Sequence, residues 1–232
     1  MIICIETATN LCSVALCTET SVIALRESND QRTHASMLTG YIDEILKENR
    51  IDADEISAVA VSKGPGSYTG LRIGVSVAKG MAFAASKPLI GIETTLSMYH
   101  GLRRRIVEEG TMNEKILFCP MLDARRMEVY TAVYNSEGEK IKDISAEIIS
   151  GSSFSDIDPS FRMIFFGDGA SKCSSIISRE NSLFITDFNM SAKNMQIPAF
   201  SAFANGNFED IAYFEPFYLK DFITTSQRKN IL

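Results

Sequence analysis

The chain has little of the chemistry that a metalloenzyme or an acid–base enzyme needs. Its 232 residues include only two histidines, His34 and His100, and no Cys-x-x-Cys pair occurs. The five cysteines are odd in number and most lie in apolar runs, which favours buried free thiols in a reducing compartment. We therefore expect no metal site and no disulfide framework.

Long hydrophobic runs and an excess of basic residues are also missing. No stretch of about eighteen apolar residues occurs, so no membrane-spanning helix is predicted. The N-terminus lacks a basic leader and carries Glu6 where a signal peptide would be apolar, so we expect a cytoplasmic protein without membrane contact. The net charge is −6, whereas RNA-binding proteins usually present a basic face. The one dense basic run, residues 103–105, is interpreted as a solvated helix end, with an RNA contact as the alternative.

The order of predicted elements occurs twice along the chain. In the first half, periodicity predicts strands at residues 2–6, 12–18, 21–27, 56–61 and 88–92. It predicts helices at 34–48 and 67–85, and a third helix that follows the last strand and ends at about residue 109. In the second half, it predicts strands at 116–122, 128–134, 140–149 and 163–166, and helices at about 170–180 and 191–205. Three strands followed by alternating helices and strands in the first half, with a weaker copy of that order in the second, predict two related α/β lobes.

The most informative segment is the glycine loop, GPGSYTGLRIG at residues 64–74. It is not a P-loop, which ends in Gly-Lys-Ser/Thr, nor a Rossmann fingerprint, because its third glycine comes one residue late. Two alternatives remain open. Either Gly64 and Gly66 make a tight turn while Ser67 or Thr69 caps the helix, or backbone N–H groups at the start of the helix bind an anion.

The helix that follows has more apolar surface than a surface helix needs. Its polar residues Arg72, Ser76 and Lys79 form one narrow stripe, and nearly everything else is apolar or small. A surface helix requires apolar residues on only one face. The second apolar face is therefore covered either by another part of this chain or by a partner helix.

Five segments resemble the TsaB family. They are ETATNLCSVAL at 6–16, GPGSYTGLRIG at 64–74, KPLIGIETT at 87–95, MLDARRMEVYTAVY at 121–134 and EPFYLKDF at 215–222. The resemblance covers the chain in the same order and is weakest between about 150 and 210. It implies an α/β fold with two RNase H-like lobes, as in the actin, Hsp70 and sugar-kinase (ASKHA) superfamily. We expect an N-terminal lobe at 1–110, a degenerate C-terminal lobe at 111–232, and a C-terminal tail that packs back on the first lobe.

The resemblance also implies a function in tRNA modification. TsaB is the non-catalytic partner of the paralogous transferase TsaD, which places a threonylcarbamoyl group on N6 of adenosine 37 in tRNA (the t6A modification), together with the small ATPase TsaE. Family members pair with TsaD through helices of the N-terminal lobe, and a homodimer formed through the same helices is the alternative assembly. We expect tRNA to meet this chain only within the complex. The residues expected at the interface are His34, Leu38, Tyr41, Ile42, Ile45, Tyr68, Leu71, Arg72, Gly74, Val75 and Ala78.

Little catalytic chemistry is expected in the chain itself. TsaD binds a metal through two histidines with three residues between them, and the matching positions here, aligned on 91–92, are Thr94 and Met98. Neither is a good ligand for a hard or borderline metal. We therefore predict no catalytic residue, no metal and no cofactor.

A nucleotide site is harder to dismiss. In the superfamily the first hairpin presents an acidic residue, glycine and threonine to phosphate and magnesium, and here Ala8 replaces the glycine. The residues that would form a vestigial site are Glu6, Thr7, Thr9, Asp123, Gly167 and Gly169. A degenerate cleft is one interpretation, and weak ATP or ADP binding by an ATPase or kinase-like enzyme is the alternative. A two-metal nuclease built on Glu6 and Asp123 lacks further carboxylates.

Overall fold

The structure, a computed structural model, describes residues 1–29 and 34–220, except for the side chains of residues 34–36. It contains two five-stranded mixed sheets. The first consists of β1 (Ile2–Glu6), β2 (Cys12–Cys17), β3 (Val22–Ser28), β4 (Ala58–Gly64) and β5 (Leu89–Glu93). The second consists of β6 (Ile116–Asp123), β7 (Glu128–Tyr134), β8 (Lys140–Ile148), β9 (Arg162–Phe166) and β10 (Ser182–Ile185).

The two sheets share one topology. Their strand orders are β3-β2-β1-β4-β5 and, read in the same direction, β8-β7-β6-β9-β10. In each, the first three strands are antiparallel and the last two run parallel to the first. The prediction of two related α/β lobes is confirmed.

Five α-helices accompany the sheets in the described part of the chain. They are α1 (His34–Asn49), α2 (Tyr68–Ala84), α3 (Thr94–Glu108), α4 (Ala170–Cys173) and α5 (Gln196–Ala204). The strand β1 is buried on both faces because its residues alternate between two cores. Ile3 and Ile5 face α1 and α2, whereas Ile2 and Cys4 face α5 and the turn before it. Helix α3 joins the lobes, because its apolar side chains pack against the second sheet while its body lies beside the first.

The sequence prediction fails between residues 170 and 185. The expected helix stops after one turn at Cys173, and β10 follows instead. Arg179 explains the change, since its guanidinium donates to carbonyl oxygens of the loop at 154–161 at 2.7–3.4 Å. These bonds hold the segment against that loop and lead it into the sheet beside β9.

Residues 208–220, which we call the C-terminal strap, lie against the first sheet. The N–H of Glu209 donates to Leu89 O at 2.8 Å at the edge of β5. Phe214 belongs to the same core as α2, and the N–H of Phe217 donates to Lys63 O at 2.6 Å. The strap therefore runs antiparallel to α2, from the end of that helix back to its start. Residues 221–232 of the predicted tail lie outside the described residues.

No helix within the described ranges has both the length and the apolar character needed to cross a bilayer.

Candidate functional site

The glycine loop brings α2 into direct contact with the turn between β1 and β2. Ser67 caps α2 by accepting a hydrogen bond from the Gly70 N–H at 3.2 Å, and its own N–H donates to Ala8 O at 2.6 Å. A Cβ atom on Gly70 would overlap Thr7 O, and one on Gly74 would overlap Thr7 Oγ1. The glycines thus permit close approach of helix to turn, which favours the structural alternative over an anion site.

Glu6 is sealed inside the first lobe. Its Oε1 accepts hydrogen bonds from the Ala8 N–H and from Ser62 Oγ, both at 2.6 Å. Its Oε2 and Thr7 Oγ1 are buried without a partner among the described residues. Burial raises the pKa of the Glu6 carboxyl to about 7, although the two hydrogen bonds oppose that rise. A carboxyl in this position is not presented to a phosphate-bound metal.

The remaining residues of the predicted nucleotide site also have structural partners. Thr9 Oγ1 accepts the Leu11 N–H at 3.3 Å within the β1–β2 turn. Asp123 Oδ1 accepts the Arg125 N–H at 2.8 Å and is paired with Lys172.

Gly167 and Gly169 allow the turn after β9 to pack on β6. Gly167 has φ of 108°, and a Cβ there would overlap Met121 O. A Cβ on Gly169 would lie 3.0 Å from the Leu122 carbonyl carbon. No group of three metal-binding side chains occurs within residues 1–29 and 34–220, although the Asp168 carboxylate accepts a hydrogen bond from the Asp123 N–H at 3.0 Å.

Most residues predicted at the partner interface lie in the chain's own core. Leu38, Ile42 and Ile45 of α1 are buried against the first sheet. The same is true of the predicted residues of α2, which are Leu71, Gly74, Val75 and Ala78. These seven positions are buried within the chain itself, so in this structure they are not displayed to a partner. His34 begins α1, but its side chain lies outside the described residues.

The outer face of α2 carries what remains of the predicted interface. Tyr68, Thr69, Arg72, Ile73, Ser76 and Val77 line a groove of about 470 Å³. The Arg72 guanidinium lies 5.5 Å from the centre of the Tyr68 ring and donates to Tyr68 Oη at 2.9 Å. Tyr41 of α1 is half-buried at the edge of the same core as Ile73 and Val77. Sequence reasoning missed Ile73 and Val77, although their spacing of four places them on one face.

The strap covers only one side of this helix. Lys79 donates to Phe214 O at 2.9 Å and to Ala212 O at 3.3 Å. Tyr218 stacks on Tyr68 with ring centres 4.9 Å apart. The first alternative for the second apolar face thus holds for one side of α2, where the strap lies, and the described residues leave the groove uncovered. The alternative of a partner helix stays a prediction.

The basic run of α3 is not a solvated helix end. Arg103 donates to Ser136 O at 3.0 Å, and Arg104 donates to Gln196 Oε1 at 2.9 Å. Arg105 alone is exposed, and it pairs with Glu109 and Asp187 at 3.0 Å. The guanidiniums of these three arginines are bound to protein groups around α3, which does not favour the alternative of an RNA contact.

The model of one protein family matches most of the chain. It is described as TsaD: tRNA N6-adenosine threonylcarbamoyltransferase, and it matches residues 23–205. The chain belongs to this family.

Within the TsaD family, similarity to TsaB proteins confirms the resemblance found in the sequence. The chain is 36% identical over 136 residues to the tRNA threonylcarbamoyladenosine biosynthesis protein TsaB of Escherichia coli, covering 59% of this chain and 55% of that protein. To the TsaB protein of Haemophilus influenzae, the chain is 34% identical over 129 residues, which cover 56% of this chain and 51% of that protein. The chain thus spans about half the length of the curated relatives it matches.

A solved structure shows the same fold over nearly the whole chain. YeaZ from Pseudomonas aeruginosa superimposes with a TM-score of 0.78 at 24% identity, covering 94% of this chain and 99% of that one. The predicted ASKHA-like α/β fold is confirmed. In this TsaD-family chain, Thr94 and Met98 are completely buried at the start of α3, and Met98 packs beside Gly167.

Proposed function

We propose that this chain is a non-catalytic accessory subunit in t6A biosynthesis, which binds a TsaD subunit through the outer face of α2. The names of the TsaB relatives support the pathway. The observation that carries the proposal is the α2 groove, where Ile73 and Val77 lie beside Arg72 and Tyr68. Burying one such aliphatic side chain at an interface contributes roughly 1.5–3 kcal/mol.

The accessory assignment rests on the closed state of the first lobe. Glu6 is enclosed by Ser62 and the Ala8 backbone, and α2 lies directly on the turn where a phosphate would have to approach. Thr94 and Met98 supply no metal ligand. We therefore propose no cofactor, with TsaE and tRNA joining through the complex. A homodimer through the same groove would compete with TsaD.

Val77→Arg tests the placement of the interface. Val77 is half-buried at the rim of the groove, so an arginine there leaves the core intact but puts an unpaired charge into the contact. We expect a folded chain whose affinity for the same organism's TsaD falls by at least about tenfold, or about 1.4 kcal/mol. The t6A yield should fall in parallel in a reaction with tRNA, threonine, bicarbonate, ATP, the threonylcarbamoyl-AMP synthase, TsaE and TsaD.

Ile148→Arg is the matched control, because Ile148 is an exposed aliphatic residue of the second sheet. It should bind TsaD as the unmodified chain does. Normal complex formation by folded Val77→Arg would overturn the placement. An equal t6A yield without this chain would overturn the function, and ATP binding tighter than about 10 μM with phosphate release would favour the kinase-like alternative.

A further inference from the structure

The turn between β6 and β7 carries two adjacent arginines in the left-handed backbone region. Arg125 has φ of 70° and Arg126 has φ of 48°, and both residues are exposed. This region costs an L-residue about 1–2 kcal/mol relative to glycine. Glycine or asparagine would suit both positions better, so the backbone alone does not explain arginine here.

Hydrogen bonds hold this turn in place. The N–H of Arg125 donates to Asp123 Oδ1 at 2.8 Å. Lys172 Nζ donates to the carbonyl oxygens of Arg126 and Glu128, both at 2.7 Å. Two of these three bonds use the backbone of the arginines, and the third holds the carbonyl of Glu128 at the end of the turn. Within the described residues, neither guanidinium has a hydrogen bond or an ion pair. Both side chains are therefore exposed on a turn whose backbone is held by hydrogen bonds.

Further cations and aromatic rings continue this surface across to the first lobe. Lys220 of the strap pairs with Glu128 at the base of the turn. Two residues earlier, Tyr218 stacks on Tyr68, whose ring also lies beneath the Arg72 guanidinium. Tyr68 and Arg72 line the α2 groove and belong to the proposed TsaD contact. We call the remaining residues the arginine–tyrosine surface: Arg125, Arg126, Tyr218 and Lys220.

The charge on this surface differs from that of the whole chain. Asp123 neutralises Lys172, and Glu128 neutralises Lys220. The guanidiniums of Arg72, Arg125 and Arg126 have no carboxylate partner among the described residues, on a chain of net charge −6. The arginines of α3, by contrast, all bond to protein groups. Asp168 beside Asp123 and Glu215 near Tyr218 offset part of this charge, and the local balance stays positive while that of the whole chain is negative.

We infer that the arginine–tyrosine surface binds RNA, with phosphates on Arg125 and Arg126 and an unstacked base beside Tyr218. The inference rests on the proposed function, which brings this chain to tRNA. Single-stranded RNA loops are bound by stacking on aromatic rings and guanidinium planes, and their phosphates by arginine and lysine. An acidic protein segment would satisfy the arginines but leave Tyr218 unused. This chain therefore contributes RNA contacts of its own within the complex.

Charge reversal in the turn tests the inference. The full chain, in complex with TsaD, is titrated with an unmodified tRNA transcript at several salt concentrations between about 50 and 200 mM. The double variant Arg125→Glu/Arg126→Glu should weaken binding at least about tenfold and reduce the log–log salt slope by about 1–2. Tyr218→Ala should weaken binding without changing the slope. The Arg125→Lys/Arg126→Lys variant should keep the slope, because it keeps both charges.

Arg162→Glu is the matched control. Arg162 is an exposed arginine beside Ile116, at the opposite end of the same sheet from the turn after Asp123. Its reversal should leave affinity and slope unchanged. Unchanged RNA binding by the double charge reversal, or an equal loss with Arg162→Glu, would overturn the inference.

Loss of TsaD binding by the double charge reversal would also overturn the inference, because it would assign the turn to a protein partner. TsaD binding is measured on the same samples by gel filtration. The proposed function is tested independently, because it fails only through the Val77→Arg and t6A measurements.

Discussion

Glu6 gives the chain a dependence of stability on pH that can be isolated by one substitution. The carboxyl is completely buried, and its pKa in the folded chain is about 7, against about 4.5 in the unfolded chain. Between these two values the unfolded state has released a proton that the folded state still holds. Stability from Glu6 is therefore fully present below pH 4.5 and is lost as the pH rises to about 7.

The size of this loss follows from the two pKa values. The two pKa values differ by about 2.5, and a difference of one corresponds to about 1.4 kcal/mol, so the whole loss is roughly 3–4 kcal/mol. Glu6→Gln removes the ionisation while keeping an oxygen that can accept from the Ala8 N–H and Ser62 Oγ. We expect the free energy of unfolding of the variant, minus that of the unmodified chain, to increase by about 3 kcal/mol between about pH 5 and pH 8.

Urea denaturation at several pH values measures this difference. Subtracting the two curves cancels other titrations, including that of His100, whose pKa burial lowers to about 4. Ile148→Gln, at an exposed position without an ionisable group, should give a difference that does not change with pH. A Glu6→Gln difference constant to within about 0.5 kcal/mol across the range would refute the reasoning, whatever the absolute stability of the variant.

Two further predictions concern the surroundings of α2. Gly74→Ala should destabilise the fold by about 1–3 kcal/mol because its Cβ overlaps Thr7 Oγ1. Gly80→Ala on the same helix has open space and should be neutral or stabilising by up to about 1 kcal/mol in thermal melts; equal effects would contradict this packing. Lys79→Met should lower stability by about 1–2 kcal/mol and speed proteolysis within the strap, because two bonds to its carbonyls are lost. In the Lys47→Met variant, which loses only an exposed ion pair, proteolysis within the strap should proceed at the same rate as in the unmodified chain.

The fold was more predictable than the site. Periodicity shows which face of a helix is buried, but it does not show whether the chain itself or a partner buries that face. Leu38 and Val75 have the spacing of a covered helical face, and they are covered by their own sheet. Phe214, which helps to cover α2, lies more than a hundred residues away from it in the sequence. No local pattern announces such a contact.

Local conformation limited the prediction in the same way. The arginines at 125 and 126 belong to a segment that resembles the TsaB family, but their left-handed backbone is visible only in the structure. The strand β10 is only four residues long, and it follows a segment whose apolar residues suit a helix equally well. Glu6 was recognised as a carboxylate at the end of a strand, whereas its enclosure depends on Ser62 from a distant strand.

The strap has a further consequence for the handling of this protein. The strand β5 is the last in its sheet, and its sequence LIGIE is almost wholly apolar. Glu209 bonds to its outer edge at Leu89, and Gly91 lies beneath the Glu209 and Phe214 side chains. An uncovered apolar edge strand is a template for pairing with other chains. A chain shortened before residue 208 would expose that edge, so we expect it to aggregate through β-strand addition even though both sheets remain in its sequence.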